Sequence, residues 1–119
     1  MQNEPKRHIE SLIERMSLEE KIGQLTLAVA GPRMTADLRV AVRAGRVGTL
    51  SHLWGREHCE GAQRVAVQET RLGIPLLFGA DVVHGHRTIF PIPLAEAGTF
   101  DPVLWERTAR AAAEEATAE

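Results

Sequence analysis

The sequence contains little of what marks several common classes of protein. It has one cysteine, Cys59, so an internal disulfide bond is impossible and no pair of thiols is spaced for redox chemistry or zinc binding. Its 14 basic and 16 acidic side chains leave a net charge of -2, which provides no concentrated positive field for a phosphate backbone or an anionic lipid. We therefore expect no nucleic-acid partner and no membrane partner.

Long apolar stretches are also missing. Residues 1–7 are polar, whereas a secretory signal needs an apolar stretch of roughly 7–15 residues. No run approaches the roughly 20 apolar residues that a transmembrane helix requires. As written, the chain is expected in the cytoplasm, and a periplasmic or secreted location is left open for a longer parent protein.

The composition that is present is that of a soluble globular protein. Of its 119 residues, 44% are hydrophobic and 25% are charged, which suits one small domain or a piece of a larger one. Apolar residues three and four positions apart predict a helix over about 8–16. Ser17 and Glu20 fit a capping box at the start of a second helix, which should bury Ile22 and Leu25.

The middle of the chain alternates helix and strand signals. Thr35 is placed to cap a short helix, and Gly45 suits the left-handed turn at its end. Residues 47–51 predict a first strand, and residues 57–71 predict the helix that follows it. Residues 74–81 are nearly all apolar until the last one, as expected of a parallel strand that is covered on both faces.

The last part of the chain predicts one further helix. Asp101 is a good N-cap and Pro102 suits the first turn, so this helix should run to the end of the sequence. Trp105 lies in its first turn and is expected in the core. Glu114 and Glu115 fall on the faces of the helix, where solvent is their expected environment and no catalytic role is predicted.

The order of these elements predicts an α/β fold with parallel strands, because helices come first and a strand, a helix, a strand, a long loop and a helix follow. Two strands cannot close such a fold, and the strand over 74–81 needs a neighbour on each edge. The final helix also lacks a stop signal. We therefore interpret residues 1–119 as one partial domain that further chain or a partner completes.

Asp81 is the leading candidate for a functional residue. It stands at the C-terminal end of the strand predicted over 74–81, where barrel and open α/β enzymes place their active sites. A carboxylate there can accept hydrogen bonds from two adjacent sugar hydroxyls, and such charge-assisted bonds are about twice as strong as neutral ones. The alternative, a carboxylate that only caps the loop by accepting amides two or three residues on, stays open.

Further candidates lie in the loops that follow the two predicted strands. Trp54 follows the first strand, on the same rim as the carboxylate, and its flat ring suits the face of a sugar. His84 and His86 can equally be loop histidines bonded to backbone carbonyls, and Arg87 can equally pair with a loop carboxylate. Gly85 predicts a backbone shape that a side chain would block.

Three segments, in this order, resemble the N-terminal domain of glycoside hydrolase family 3. They are IESLIERMSLEEKIGQL over 9–25, TRLGIPLLFGADVVHG over 70–85 with RTIFP over 87–91, and the FDP-initiated helix over 100–115. They follow one another in the family's order and span nearly the whole chain, from residue 9 to residue 115. The His-Gly-x-Arg-Thr form of the loop at 84–88 is more similar to the bacterial β-glucosidase and β-xylosidase branch than to the N-acetylhexosaminidase branch.

The resemblance implies a (β/α)8-type barrel as the N-terminal domain, usually followed by a second α/β domain, in a retaining exo-acting β-glycosidase. In that family the nucleophile is an aspartate on a later barrel strand and the acid/base is commonly a glutamate further on, and neither lies in these residues. The position that matches Asp81 binds the hydroxyls of the terminal sugar. Retaining hydrolysis needs two carboxyl groups about 5–5.5 Å apart, and this chain offers one candidate.

The leading hypothesis is therefore the N-terminal part of a β-glucosidase-type enzyme, inactive alone, that acts on a β-glucoside or oligosaccharide and uses no metal or other cofactor. The missing C-terminal part of the barrel is expected to complete it. Asp81 is expected to bind the sugar, with Arg87, His84 and Trp54 as further candidates.

Two other hypotheses stay open. His84 and His86 form an H-x-H pair of the sort with which metal-dependent amidohydrolase barrels begin their site, although metal ligation needs more side chains. A stoichiometric bound metal would favour that hypothesis. The third is a noncatalytic module that binds carbohydrate or protein through an exposed sheet edge, and such a module should melt cooperatively as an isolated monomer.

Overall fold

The computed structural model describes residues 4–118, which form two compact units. The first unit ends at Gly79 and the second begins at Ala80. Within residues 4–118, every helix is too short or too polar to span a lipid bilayer. The assignment of the whole chain to one partial domain stays a prediction.

The first unit alternates helices with three short parallel strands. In chain order its elements are α1 (Glu4–Arg15), α2 (Leu18–Gln24), β1 (Leu27–Val29), α3 (Ala36–Arg43), β2 (Thr49–Ser51), α4 (Arg56–Glu69) and β3 (Leu77–Gly79). The sheet order is β1-β2-β3, and Leu50 in the central strand stands beside Ala28 on one side and Phe78 on the other. The predicted parallel α/β arrangement is confirmed.

Local capping explains where the short helices start. The Ser17 N–H donates to Glu20 Oε2 at 2.9 Å and the Glu20 N–H donates to Ser17 Oγ at 3.2 Å, so the predicted capping box is confirmed. Thr35 Oγ1 accepts from the Leu38 N–H at 3.2 Å at the start of α3. Gly45, with φ of +69°, follows that helix in the left-handed conformation predicted for it.

One face of the sheet is packed and the other is open in this unit. Leu50 is fully buried among side chains of α3 and α4, of which Val42 and Val65 are the largest that are fully buried. Leu27 and Leu77 flank Thr49 across the sheet, on the opposite face, and are 58% and 70% exposed. The prediction of a strand over 74–81 covered on both faces is therefore wrong, because helices cover only the Leu50 face.

The second helix differs from its predicted burial. Ile22 and Leu25 are 57% and 89% exposed, although the sequence predicts both as buried. The buried residue of α2 is Gly23, where an added Cβ would overlap the Gly45 carbonyl oxygen and lie 2.8 Å from the Arg46 Cα. The helix thus approaches the α3–β2 connection through its glycine, and this contact turns its apolar side chains outward.

Two elements are absent from the sequence predictions. Strand β1 is three residues long and offers no periodic pattern, so the strand predicted over 47–51 is the second rather than the first. The five-residue α5 (Pro93–Ala97) begins at a proline inside the predicted long loop. The predicted strand over 74–81 is shortened to Leu77–Gly79, and the predicted helix over 57–71 runs instead over Arg56–Glu69.

The second unit packs α5 against α6 (Pro102–Thr117). Asp101 Oδ1 accepts from the Val103 and Leu104 N–H groups at 3.0 and 3.2 Å, so the predicted N-cap is confirmed. Trp105 is half-buried, and its Nε1–H donates to the Glu96 carbonyl oxygen at 2.7 Å, which ties α6 to α5. The predicted end of the helix at the last residue falls outside the described residues.

Candidate functional site

Asp81 lies two residues past the end of β3 and lines a cavity in the second unit. The cavity has a volume of about 310 Å³, and His84, Phe90 and Glu96 are among its other lining residues. Asp81 and His84 are both exposed.

Gly85 gives the loop after Asp81 its tight shape. Its φ of +115° lies outside the range that L side chains readily adopt, and an added Cβ would overlap the Thr88 carbonyl oxygen. The loop is closed by the Phe90 N–H, which donates to the His84 carbonyl oxygen at 2.8 Å. The predicted need for a glycine at this position is confirmed.

A carboxylate on α6 holds the same loop from the other side. The N–H groups of Arg87 and Thr88 both donate to Glu115 Oε2 at 2.8 Å, and Thr88 Oγ1 donates to Glu115 Oε1 at 2.6 Å. The Thr88 hydroxyl, followed by the backbone amides and the nearby His86, lowers the pKa of Glu115. The prediction of a solvent environment for Glu115 is therefore wrong, and because its contacts lie 27 and 28 residues away, no local pattern marks it.

Each of the remaining loop candidates has a defined place. His84 lines the cavity together with Asp81. His86 is half-buried, and its electrostatic interaction with Glu115 helps to lower the pKa of that carboxyl group. Arg87 is exposed, and its backbone N–H is one of the groups that donate to the Glu115 carboxylate. In the described part of the chain, no group of three or more His, Cys, Asp or Glu side chains is placed to hold a metal ion, so the metal-site hypothesis lacks a third ligand there.

Trp54 belongs to the first unit, in the loop after β2. It is half-buried, and its ring meets the ring of His52 edge-on with centroids 6.4 Å apart. His52 has a φ of 59°, which is uncommon for a residue other than glycine, and its buried Nδ1 has no hydrogen-bond partner among the described residues. Sequence reasoning missed His52 as a candidate, and its position directly after β2 is the one signal that could have marked it.

A second carboxylate of the same cavity was also missed. Glu96, in α5, lines the same cavity as Asp81, and its buried Oε1 has no hydrogen-bond partner within residues 4–118. Its identification depends on α5, which the sequence did not predict.

Comparison with known proteins places these features in a family. The family model described as "Glycosyl hydrolase family 3 N terminal domain" matches residues 17–119. The periplasmic β-glucosidase of Salmonella typhimurium is 38% identical over 94 residues, which are 78% of this chain and 12% of that protein. Most of the relative therefore lies outside the matched segment.

Solved structures give the same result. The β-glucosidase of Listeria innocua in complex with isofagomine matches 80% of this chain and 14% of its own, with 34% identity and a TM-score of 0.63. The same enzyme in complex with glucose matches 80% of this chain and 15% of its own, with 31% identity and a TM-score of 0.63. The chain thus spans a small share of the length of each relative.

Residues 4–118 form three parallel strands that alternate with helices, one more than the sequence predicted and fewer than the eight of a complete (β/α)8 barrel. The predicted incomplete barrel is confirmed. The family match extends over all three strands and both helices of the second unit. The resemblance drawn from the sequence is confirmed: the chain belongs to glycosyl hydrolase family 3, and it forms part of the TIM-type barrel of the N-terminal domain.

Proposed function

We propose that this chain supplies a sugar-binding part of a retaining β-glycosidase of the β-glucosidase type, which removes terminal β-linked sugars from glycosides or oligosaccharides. Membership of the family supports the reaction class. The observation that carries the assignment of the site is the exposed Asp81 carboxylate on a cavity of about 310 Å³. Its oxygens are open to hydroxyl donors.

The chemistry of the cavity suits a single sugar ring. Ligand pockets range from about 300 to 1,000 Å³, so this one is small. The Asp81 carboxylate offers acceptors for neighbouring hydroxyls, and the His84 imidazole, which lines the same cavity, carries two ring nitrogens that can take part in hydrogen bonds. In the same proposal Arg87 contributes positive charge to the loop, and Trp54, in the first unit, stays a candidate on the sequence alone.

Asp81 is proposed to bind and not to react. Retaining hydrolysis requires a nucleophilic carboxylate and an acid/base carboxyl about 5–5.5 Å apart. The family resemblance assigns both roles to positions that match no residue of this chain. We therefore expect the chain alone to bind sugar without hydrolysing it, and the remainder of the barrel to complete the active site.

Titration of the 119-residue chain with glucose and isofagomine, followed by NMR chemical shifts, tests this assignment. Asp81→Asn should weaken binding of both probes about tenfold or more, since charge-assisted hydrogen bonds are lost. Asp37→Asn, an equal charge change in the first turn of α3, is the matched control and should bind as the wild type does. Equal affinities of the two variants would remove Asp81 from the site.

The same preparation tests whether the chain is inactive alone. Incubation with p-nitrophenyl β-glucoside should release no nitrophenol above the rate of a buffer blank. Turnover by the purified chain that Asp81→Asn abolishes would show that a reacting group lies within these residues, and the binding-only role would be wrong.

The compartment is a separate part of the proposal. The sequence analysis expects a cytoplasmic chain, whereas the Salmonella relative is named periplasmic, which supports an exported parent protein. Osmotic-shock fractionation of the native host, with an antibody against the chain, distinguishes the two. Recovery in the shock fluid would contradict the cytoplasmic prediction.

A further inference from the structure

We propose that Glu115 is a positioning residue, which fixes the shape of the loop over 84–88 and so sets the place of His84 beside Asp81. The inference rests on the proposed function, because it takes the cavity lined by Asp81 and His84 as the sugar-binding site. Glu115 itself is not among the residues that line that cavity.

Glu115 supplies hydrogen-bond acceptors to loop amides that no helix or strand pairs. Oε2 accepts the N–H groups of Arg87 and Thr88, both at 2.8 Å, and Oε1 accepts the Thr88 hydroxyl at 2.6 Å. Backbone amides that leave regular structure need such acceptors. One side chain therefore satisfies two consecutive amides and the neighbouring hydroxyl.

A short series of contacts connects Glu115 with the cavity. Glu115 holds Thr88, and the Thr88 carbonyl lies so close to Gly85 that a Cβ on the glycine would overlap it. Gly85 is bonded next to His84, whose carbonyl oxygen accepts the Phe90 N–H at 2.8 Å. We therefore expect displacement of Thr88 to alter the backbone that carries the His84 side chain.

Glu115 stands on a helix that is itself well fixed. Glu115 lies in α6, which is capped at its start by Asp101 and tied to α5 by Trp105. Side chains that position a site are effective when they stand on such an element and not on another loop. The hydrogen bonds from Thr88 and Arg87, with the nearby His86, lower the pKa of Glu115, so the acceptor is ionised at neutral pH.

Three variants of the 119-residue chain separate this role from a general effect on folding. Glu115→Ala removes all three hydrogen bonds. Glu115→Gln keeps an oxygen for the two amides and offers an amide N–H to the Thr88 hydroxyl oxygen, which can also accept. Glu114→Ala removes the neighbouring carboxylate of the same helix, which is exposed, and is the matched control.

The first measurement is amide hydrogen exchange at residues 84–90 by NMR, with isofagomine affinity as the second. Glu115→Ala should speed exchange at Arg87 and Thr88 about tenfold or more, and should weaken isofagomine binding several-fold. Each lost hydrogen bond to a charged acceptor removes free energy that stabilises the closed loop. Glu115→Gln should restore most of both properties. Glu114→Ala should match the wild type in both.

Each outcome bears on the proposal. Exchange at Arg87 and Thr88 that is equal in Glu115→Ala and Glu114→Ala overturns it, as does the failure of Glu115→Gln to restore the wild-type rates. Weaker sugar binding with unchanged exchange also overturns it, because Glu115 would then act without the loop.

Two controls keep the result interpretable. If Glu115→Ala does not fold, Thr88→Val removes the hydroxyl bond alone, and unchanged exchange at Thr88 in that variant overturns the proposal. If the wild type binds neither glucose nor isofagomine, the proposed function fails, whereas the exchange comparison still decides whether Glu115 holds the loop.

Discussion

The one-sided packing of the sheet predicts very different costs for the same mutation on its two faces. Leu50→Ala deletes three carbon groups from a side chain with no exposed surface, which removes about 2.4 kcal/mol at about 0.8 kcal/mol per group. The unfilled cavity adds to that loss, so the total should be about 3–4 kcal/mol. Leu77→Ala, at a position that is 70% exposed, should cost only about 0.7 kcal/mol, since less than a third of the side chain leaves water on folding.

Urea unfolding followed by circular dichroism measures both losses. The two variants should share the wild-type dependence on urea, so that the difference of about 2–3 kcal/mol reads directly as a difference in the free energy of unfolding. Equal losses for Leu50→Ala and Leu77→Ala would refute the reasoning, because the Leu77 face would then be covered in solution. A gel-filtration run of the same samples would show whether a second copy of the chain covers it.

Three further predictions concern single positions elsewhere. Gly85→Ala places a methyl group against the Thr88 carbonyl oxygen at a φ of +115°, so amide exchange throughout its loop should accelerate, and an unchanged exchange profile would contradict the loop geometry. Gly61→Ala, a helical position with nothing within 4 Å of the added carbon, should raise the free energy of unfolding by about 0.5–1 kcal/mol. Hydrogen bonds from Arg71 lower the pKa of Glu20, so the ionised carboxylate contributes stability above the unfolded-state pKa of about 4.3 and loses it as the pH falls through the lower folded value. The stability difference between the wild type and Arg71→Gln should accordingly be present at pH 7 and shrink below about pH 4, and a difference that is independent of pH would contradict the pair.

The features that the sequence predicts correctly depend on residues close together in the chain. The capping box of Ser17 and Glu20, the cap at Thr35 and the cap at Asp101 each join residues two or three positions apart. Such contacts form in any chain that starts a helix there, so the residue types alone reveal them. The parallel order of the strands follows in the same way from the alternation of helices and strands.

The features that the sequence misses depend on contacts between distant residues. Ile22 and Leu25 are exposed because Gly23 meets Gly45, 22 positions on in the sequence, and no helical periodicity reports that approach. A three-residue strand such as β1 is too short for periodicity to identify it.

In the candidate site, too, the residues that the sequence identified depend on local features, and Glu115, which it missed, depends on distant contacts. Asp81 could be selected from the sequence because a lone carboxylate ends an apolar run, and Gly85 because it sits in a loop that needs an unusual backbone. Glu115 could not, since its three hydrogen bonds reach across 27 and 28 residues. Carboxylates on helix faces usually face solvent, so residue type argued against it.

At the end of β2 the backbone adopts an energetically unfavourable conformation. The His52 N–H donates to the Gly79 carbonyl oxygen at 3.1 Å, which extends the pairing of β2 and β3 by one residue. His52 makes that bond at a φ of 59°, and its buried Nδ1 lacks a partner among the described residues. Each of these features costs about 1–3 kcal/mol, and such costs persist where the surrounding structure fixes them and often where a site is built. Because β2 and β3 are parallel, the chain leaves both at the same edge, and Asp81 follows Gly79 by two residues. The stability of the sheet therefore comes from the buried face around Leu50, whereas the strained backbone lies directly after β2, at the C-terminal edge of the sheet.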